Sequence, residues 1–482
     1  MTLSVFEAAR DEPDRVAVVI GQTAITYREL ARRVDDRLGE LSASGTLDPS
    51  GKRPVALVMS PTLETVETLF ALFAAGTPAL LLSTRGTKRE RADLVERAHA
   101  VLHPPEASRA LSNVRRDERL DQERIAVVVP TSGTTGAPKL ARLSHRALVR
   151  AARASAEHLG DEPDDRWLAA LPLAHVAGLS ILTRALVTRR TVVLFDPEGP
   201  LFSRLDPLVA TLRDHDVTLV SLVPAVLDRL LAEPVSFRPG PKVRAVLLGG
   251  APASRELLVR AHAARVPVLT TYGMTETCAQ VATRRYTERF AAPSESDLAA
   301  AGVPLAGVFV HAVGGVIEVR GPTLFSGYVD EPSSNPGSGW FRTSDRGHFD
   351  ENGALVVTGR TDDVVITGGE NVDPIEVEAA LLALPGVEAA CVVGLPDPTF
   401  GQVVVALLVT SNAAPKSVEG VRSALAPKLS SYKLPRRVGV VGALPLLASG
   451  KTDRAGARAL AETTFRAVFS ASRPRERESA VD

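Results

Sequence analysis

The sequence is most informative over residues 131–139, which read Thr131-Ser132-Gly133-Thr134-Thr135-Gly136-Ala137-Pro138-Lys139. This stretch combines four hydroxyl side chains, two glycines three positions apart and one lysine. Glycine lets the backbone approach an anion closely, hydroxyls and amides donate to its oxygens, and lysine adds a positive charge. The apolar run before it, residues 125–130, predicts a buried strand. The stretch therefore predicts a phosphate-binding loop at the carboxyl end of a strand, where α/β proteins bind ligands.

The spacing differs from that of the common nucleotide-binding loop. A Walker A loop has Gly, four residues, and then Gly-Lys-Ser/Thr leading directly into a helix. Here Gly133 and Gly136 are closer together, and Lys139 opens a short extended stretch. The alternative is a flexible surface hairpin, since Ser, Thr and Gly are ordinary turn residues.

Length and composition limit the class of protein. A chain of 482 residues is too long for one core and predicts a large domain with a smaller one. Lys+Arg and Asp+Glu both number 56, so no basic excess points to nucleic acid or an anionic membrane. The two cysteines, Cys278 and Cys391, are far apart, which argues against a disulfide framework or a Cys-based metal site. The chain lacks a signal pattern and an apolar run of about 20 residues, so we expect a cytoplasmic protein without membrane insertion.

Apolar runs alternate with helical periods along most of the chain, as in residues 55–59 and 64–75. This alternation predicts an α/β fold of layered sheets with helices packed on them, and Ser144 and Ser254 are placed to cap two of those helices. Residues 302–357 contain short strands separated by Gly and Pro, which predicts a small β-rich subdomain.

A domain boundary is predicted after residue 361, so that residues 1–361 form the large N-terminal domain. Residues 362–466 have the pattern of a smaller α+β C-terminal domain, with helices over 374–384 and 417–429. Residues 467–482 are predicted to be a disordered tail, because the end of the chain is rich in Arg, Glu, Ser and Pro.

A second polar motif, Tyr272-Gly273-Met274-Thr275-Glu276, follows the strand-like residues 266–269. An aromatic face suits a base, a hydroxyl suits a phosphate, and Mg²⁺ usually binds one or two carboxylates together with substrate phosphates. The alternative is a turn in which Tyr272 fills the core. Gly249-Gly250-Ala251 ends another apolar run and is also compatible with an ordinary loop before a helix.

Three further motifs indicate a function only when they are considered together with the motifs described above. Asp345, with Arg360 beyond it, suits two ribose hydroxyls, because a carboxylate accepts from both; a surface turn is the alternative. Lys451 lies in a polar Gly-Lys turn, which by itself is usually just solvated. Gly368 and Gly369 precede Glu-Asn and are compatible with a simple hairpin turn.

Taken in order, these motifs resemble those of the adenylate-forming superfamily, which contains acyl-CoA synthetases, peptide-synthetase adenylation domains and luciferases. The resemblance runs from residue 131 to residue 454. It implies ATP, Mg²⁺ and coenzyme A as cofactor, metal and co-substrate. The residues it implies at the ATP phosphates are Thr131, Ser132, Gly133, Thr134, Thr135, Gly136, Lys139 and Thr275. Those it implies at the adenosine are Gly249, Gly250, Ala251, Tyr272, Gly273, Asp345 and Arg360.

The resemblance also assigns the catalytic steps. Glu276 is implied to hold Mg²⁺. Lys451 is implied to be the key catalytic cation, which contacts the acyl carboxylate and the phosphate during adenylation, where a desolvated ammonium stabilises both anions. Gly368 and Gly369 are implied to let the pantetheine of CoA pass when a mobile C-terminal domain rotates about Asp362. Two departures from the family pattern are Leu140, where a glycine usually follows the lysine, and Ser344, where the usual motif is Thr-Gly-Asp.

Residues 171–184 discriminate within the superfamily. They resemble the Pro-x-x-His-x-x-Gly-Leu-Ser-Ile-Leu-x-Arg segment of the o-succinylbenzoate–CoA ligases of menaquinone synthesis, which implies an AMP-forming acid–CoA ligase. Arg184 suits an acid with a second carboxylate, or is a solvated helix arginine; His175 gates the acyl pocket, or is a structural histidine. Ala174 replaces the usual aromatic, so a benzoate- or anthranilate-type ligase stays open. The alternative from a different class is a non-enzymatic or carrier-loading relative, although a degenerate binding protein would be expected to have lost Lys451 or Glu276. A homodimer is compatible with the sequence.

Overall fold

The computed structural model describes residues 2–48, 52–84, 88–102, 122–131, 139–195, 205–232, 240, 242–290, 298, 300–337, 339–368, 370–397, 399–411, 414–415, 417–447 and 452–470. Contacts divide the chain into two compact units. Unit 1 consists of Met1–Thr343 with His348–Val357, and unit 2 consists of Ser344–Gly347 with Thr358–Asp482.

Unit 1 alternates helices and strands. Its described helices are α1 (Val5–Asp11), α2 (Tyr27–Ala43), α3 (Leu63–Ala75), α4 (Lys88–Val95), α5 (His145–Leu159), α6 (Val176–Thr188), α7 (Leu205–Asp214), α8 (Pro224–Ala232) and α9 (Arg255–Ala263). Its strands are β1 (Val16–Ile20), β2 (Thr23–Thr26), β3 (Val55–Val58), β4 (Ala79–Leu82), β5 (Val101–Leu102), β6 (Ile125–Thr131), β7 (Lys139–Ser144), β8 (Arg166–Ala169), β9 (Thr191–Leu194), β10 (Leu219–Leu222), β11 (Ala245–Leu248), β12 (Val268–Met274), β13 (Ala279–Thr283), β14 (Ala300–Pro304), β15 (Phe309–Val313) and β16 (Val316–Arg320). The next two, β17 (Phe341–Phe349) and β18 (Leu355–Arg360), contribute residues to both units.

Two sheets organise these strands. The smaller has the order β5-β3-β4-β6-β7, in which β6 and β7 form an antiparallel hairpin. The larger has the order β15-β16-β17-β18-β14-β13-β12-β11-β10-β8-β9-β1-β2. Its strands from β12 through β9 are parallel, whereas β13, β14, β15 and β16 pair antiparallel and form the β-rich part. The predicted fold class, layered α/β subdomains with a β-rich subdomain, is confirmed.

The parallel strands are buried because helices cover them. Strands β9, β10 and β11 are buried along their whole length, as expected of parallel strands covered on both faces. Truncation of a core leucine such as Leu247, which is 3% exposed, is expected to lower the free energy of unfolding by about 2–5 kcal/mol. The two predicted caps are confirmed: Ser144 Oγ accepts from Ala147 N at 3.2 Å, and Ser254 Oγ accepts from Leu257 N at 3.1 Å.

Unit 2 is a smaller α+β unit. Its described elements are β19 (Val365–Thr367), β20 (Glu370–Val372), α10 (Pro374–Leu382), β21 (Val387–Asp397), β22 (Gly401–Thr410), α11 (Val418–Leu425), β23 (Arg437–Val440) and α12 (Arg454–Ser470). Its sheet has the order β20-β19-β22-β21, with β23 parallel to β22.

Two predicted helices of this unit end at different residues in the structure. The helix predicted over 417–429 ends at Leu425, because Pro427 lacks an amide hydrogen and disfavours the helical conformation of the residue before it. The helix predicted over 374–384 ends at Leu382. It starts as predicted, with Pro374 in its first turn and Asp373 Oδ1 accepting from Ile375 N at 2.9 Å. Among the described residues of both units, no helix is long and apolar enough to cross a bilayer.

Candidate active site

The glycine turn after β11 lies at the carboxyl edge of the parallel strands. Strand β11 ends at Leu248, whose neighbour in β12 is Thr270, so Gly249 and the end of β12 share one edge of the sheet. A Cβ on Gly249 would lie 2.7 Å from Thr271 Cγ2 and 3.0 Å from Thr271 O. The turn therefore needs glycine to pack directly against β12, in the place where ligands bind in open α/β sheets.

Tyr272 and Gly273 lie at an irregularity in the β12–β13 ladder. A Cβ on Gly273 would come within 1.5 Å of Ala279 O, so no other residue fits this crossing of the two strands. Tyr272 is half-buried and packs against the core of the β-rich part, which contains Val281 and Ala282. The ring thus fills part of that core, and its contact with adenine stays a prediction.

A short turn presents Glu276 beyond β12. Thr275–Thr277 form one 3₁₀ turn, in which the Thr277 hydroxyl accepts from Met274 N at 3.2 Å and donates to Met274 O at 3.0 Å. Glu276 is half-buried, and its Oε1 accepts a hydrogen bond from the Tyr328 hydroxyl at 2.6 Å. The turn is also held from the side, because Glu276 O accepts from Phe325 N at 2.8 Å.

Lys139 belongs to the same cluster as Glu276. Its ammonium lies 5.0 Å from the centroid of the Tyr328 ring and 2.9 Å from Glu331 Oε1. Tyr328 thus contacts both the lysine that follows the predicted phosphate loop and the predicted metal ligand. Sequence reasoning missed Tyr328 and Glu331, because they lie in an irregular segment far along the chain from both partners.

Only the two ends of the predicted phosphate loop lie in the described residues. Strand β6 ends at Thr131 and β7 begins at Lys139; the two residues pair, and Thr131 Oγ1 donates to Lys139 O at 3.2 Å. The predicted sites Ser132, Gly133, Thr134, Thr135 and Gly136 lie outside the described residues. Leu140, the departure from the family pattern, is 2% exposed and packs with Leu80 and Val128.

The chemistry of this cluster fits a magnesium–nucleotide complex. Mg²⁺ usually binds one or two protein carboxylates when phosphates supply the other oxygens, and the role of Glu276 as such a carboxylate stays a prediction. Within the described ranges, Oε2 of Glu276 accepts no hydrogen bond, and no group of three or more His, Cys, Asp or Glu side chains is placed to hold a metal by itself.

In unit 2, Asp345 and Arg360 lie together as predicted. Arg360 Nη1 donates to Asp345 Oδ1 at 3.1 Å, and its Nη2 donates to Asp362 Oδ2 at 2.8 Å. Burial opposes the charged form of Arg360, but the hydrogen bond to Asp362 and the nearby carboxylates raise its pKa above the ordinary value. Burial also opposes ionisation of Asp362, but the hydrogen bond from Arg360 holds its pKa below the usual range. The predicted hinge residue is thus tied to the predicted ribose pair.

The Gly368-Gly369 motif lies at a hairpin. Thr367 of β19 pairs with Glu370 of β20, and Gly368 has a φ of +60°, a conformation that glycine adopts without strain. The hairpin turn considered from the sequence is therefore present, while passage of pantetheine stays a prediction. Gly369 and Lys451 lie outside the described residues.

His175 immediately precedes helix α6 of unit 1, and Arg184 lies on that helix. His175 is half-buried at the start of α6, and its N donates to Pro172 O at 3.1 Å. Arg184 is only 5% exposed, so the interpretation as a solvated helix arginine is wrong. Its guanidinium lies 5.1 Å from the centroid of Trp167 and borders a cavity that is also lined by Leu159 and Thr188.

Arg184 is a buried cation without a carboxylate partner in the described part of the chain. Burial lowers its pKa to about 9, which still leaves it cationic near neutral pH. Asp165, on the same cavity, accepts instead from Arg244 Nε at 2.7 Å and from Thr218 Oγ1 at 2.8 Å. The cavity beside it has room for about one water molecule and is lined by residues at the starts of β8, β10 and β11, so binding of a carboxylate by Arg184 stays a prediction.

The family follows from comparison with known proteins. A model described as AMP-binding enzyme matches residues 5–111 and 102–329, and one described as AMP-binding enzyme C-terminal domain matches residues 376–451. The chain belongs to the AMP-binding enzyme family. The predicted membership of the adenylate-forming superfamily is confirmed.

Individual relatives are more specific. The chain is similar to the 2-succinylbenzoate–CoA ligase of Bacillus licheniformis, with 36% identity over 92% of this chain and 96% of that one. For the Bacillus subtilis ligase the identity is 32%, over 93% and 96%. Among solved structures, o-succinylbenzoate CoA synthetase from Bacillus subtilis with the acyl-adenylate intermediate OSB-AMP has a TM-score of 0.83 and 30% identity, over 94% and 97% of the two chains. The same synthetase with ATP and magnesium ion has a TM-score of 0.82 and 29% identity, over 94% and 99%.

Proposed function

We propose that this protein is an AMP-forming 2-succinylbenzoate–CoA ligase. In the first step, an oxygen of the acid's carboxylate attacks the α-phosphate of ATP, which gives the acyl-adenylate and pyrophosphate. In the second step, the thiol of CoA displaces AMP to give the acyl-CoA. The relatives support this reaction by name, and the Bacillus subtilis synthetase binds the corresponding adenylate and ATP with magnesium.

The nucleotide is bound, in this proposal, by residues from several elements. Glu276 would hold the Mg²⁺, which would neutralise phosphate charge, and Thr275 would donate to the α-phosphate. Lys139 leaves Glu331 for the phosphate chain, because an anion with more charge competes for the ammonium. Tyr272 stacks on the adenine beside the glycine turn at residue 249. Asp345, held by Arg360, accepts from the ribose hydroxyls.

The proposed specificity for an acid with two carboxylates is based on the buried guanidinium of Arg184. A cation removed from water is costly unless it is paired, and the described residues supply no carboxylate to it. An acid with a second carboxylate supplies that partner and binds it bidentately. In this proposal the reacting carboxylate lies near the carboxyl edge of the sheet, with His175 closing the acyl pocket beside it.

The two predicted domains have different roles in the two steps of this reaction. We propose that residues 1–361 bind acid and nucleotide and that the mobile domain 362–466 brings Lys451 to the first step. The same domain then brings Gly368 and Gly369 to the second step, by rotation about Asp362. The enzyme would act in the cytoplasm, where ATP and CoA are available, as a monomer or homodimer.

A pyrophosphate-release assay over a panel of acids, with and without CoA, tests this function. We expect o-succinylbenzoate to have the highest kcat/KM, and benzoate, anthranilate and a medium-chain fatty acid to be poor substrates. A site that pairs a second carboxylate discriminates strongly against acids that lack it. If kcat/KM for one of those three acids equals that for o-succinylbenzoate, the proposed substrate is refuted and only the broader function of an aryl- or acyl-CoA ligase is retained. If adenylate forms but CoA is not acylated, the carrier-loading alternative is favoured.

A further inference from the structure

A hydrogen bond joins Tyr328 to Glu276, the predicted metal ligand. The phenol donates to Oε1 of the carboxylate at 2.6 Å, and Oε2 accepts no hydrogen bond from the described residues. We propose that Tyr328 is a positioning residue: it holds one oxygen of Glu276 so that the other faces the Mg²⁺ of bound MgATP. This inference rests on the proposed function, because it assigns Glu276 to the metal.

The position of the Tyr328 ring is itself set from several sides. Its backbone forms an antiparallel bridge with Ala141 of β7, and its N donates to Ser334 Oγ at 2.7 Å. The ring packs edge-on against Phe325, with centroids 4.9 Å apart. A donor fixed in this way orients its acceptor, because neither side chain gains from turning away.

The phenol also joins two parts of the proposed nucleotide site. Lys139 lies over the ring at 5.0 Å, where a cation draws electron density from the aromatic system and makes the hydroxyl a better donor. A carboxylate that binds a metal is itself commonly held by a hydrogen bond, and loss of that partner weakens metal binding by about 10- to 100-fold. Tyr328 therefore positions Glu276 for the metal while it contacts the lysine next to the phosphate loop.

The Tyr328→Phe variant separates positioning from packing, because phenylalanine keeps the ring, the Phe325 contact and the backbone bridge. The experiment is calorimetric titration of ATP with and without Mg²⁺, in the absence of any acid. We expect about tenfold weaker binding of MgATP, equivalent to about 1.4 kcal/mol, since the lost hydrogen bond is to a charged group. The affinity for ATP in EDTA should stay within about twofold of the wild type. The matched control is Tyr432→Phe, an exposed tyrosine of unit 2, which should leave both affinities unchanged.

A double-mutant cycle with Glu276→Ala completes the test. If Tyr328 acts through Glu276, then Tyr328→Phe should cause no further loss of MgATP affinity once the carboxylate is absent. An equal loss with and without Mg²⁺, an unchanged MgATP affinity, or a full additional loss in the Glu276→Ala background would each overturn the inference. A wrong choice of acid does not affect this assay, whereas wild-type protein that binds no MgATP would refute the proposed function as well.

Discussion

Replacement of Arg184 by methionine should change which acids the protein accepts. Arg184 is 5% exposed and lies against Trp167 beside a small cavity, so its charge is buried, and it has no carboxylate partner in the described residues. Methionine is also long and unbranched, and it keeps much of the apolar contact with the indole ring. The substitution therefore removes the charge while preserving most of the packing.

The magnitude follows from the burial. Removal of one partner from a buried ion pair costs about 3–5 kcal/mol, because the other charge is left without compensation. At about 1.4 kcal/mol per factor of ten, kcat/KM for o-succinylbenzoate should fall by about 100- to 4,000-fold. 4-Oxo-4-phenylbutanoate is the same molecule without the ring carboxylate. For this acid, kcat/KM of the variant should equal or exceed that of the wild type.

The assay is steady-state pyrophosphate release with both acids, combined with urea unfolding. Arg189→Met is the matched control, because Arg189 is also buried at the end of α6 but pairs with Asp11 at 2.9 Å. The control should lower the free energy of unfolding and leave the preference between the two acids unchanged. Arg184→Met should not lower stability, because it removes a buried charge that has no carboxylate partner in the described residues.

Equal losses for the two acids would refute this reasoning. Arg184 would then support the helix or the pocket wall without recognising a carboxylate. A preserved preference for o-succinylbenzoate in Arg184→Met would mean that another group binds the second carboxylate.

Three further changes test other parts of the chain. Lys451→Ala should slow adenylate formation by about 10²-fold or more, measured as pyrophosphate release, because a cation between two anions is lost; a normal rate would remove Lys451 from the mechanism. Gly369→Leu should leave adenylate formation unchanged and abolish thioester formation in single-turnover assays, whereas equal losses in both steps would indicate a structural loop. Burial and the nearby charge of Arg124 lower the pKa of His145 from 6.5 to about 4, so the unfolded chain takes up a proton at higher pH than the folded protein does. The free energy of unfolding should therefore fall by about 3 kcal/mol between pH ~6.5 and ~4 in the wild type. His145→Phe should remove this loss, as measured by urea unfolding at both pH values. An equal fall in the free energy of unfolding for the two proteins would contradict the prediction.

The sequence by itself determined the class of fold and the places where ligand-binding motifs occur. Strand β6, the start of β7 at Lys139 and the caps at Ser144 and Ser254 depend on short-range patterns, so they were predicted from neighbouring residues alone. The motif at Glu276 was recognisable for the same reason, because a strand end followed by Gly, Thr and Glu is a local feature.

Only the tertiary structure decided what those residues contact. Tyr328 and Glu276 are 52 positions apart, and no periodic pattern links them; the bond exists because a loop of the β-rich part crosses the end of β12. Arg184 has the sequence context of either a solvated or a buried residue, and the packing of α6 against Trp167 of β8 selects the buried state. Leu140 is buried because β7 packs beside Leu80 and Val128. Such contacts depend on which faces of distant elements meet, and a local pattern specifies a face but not its partner.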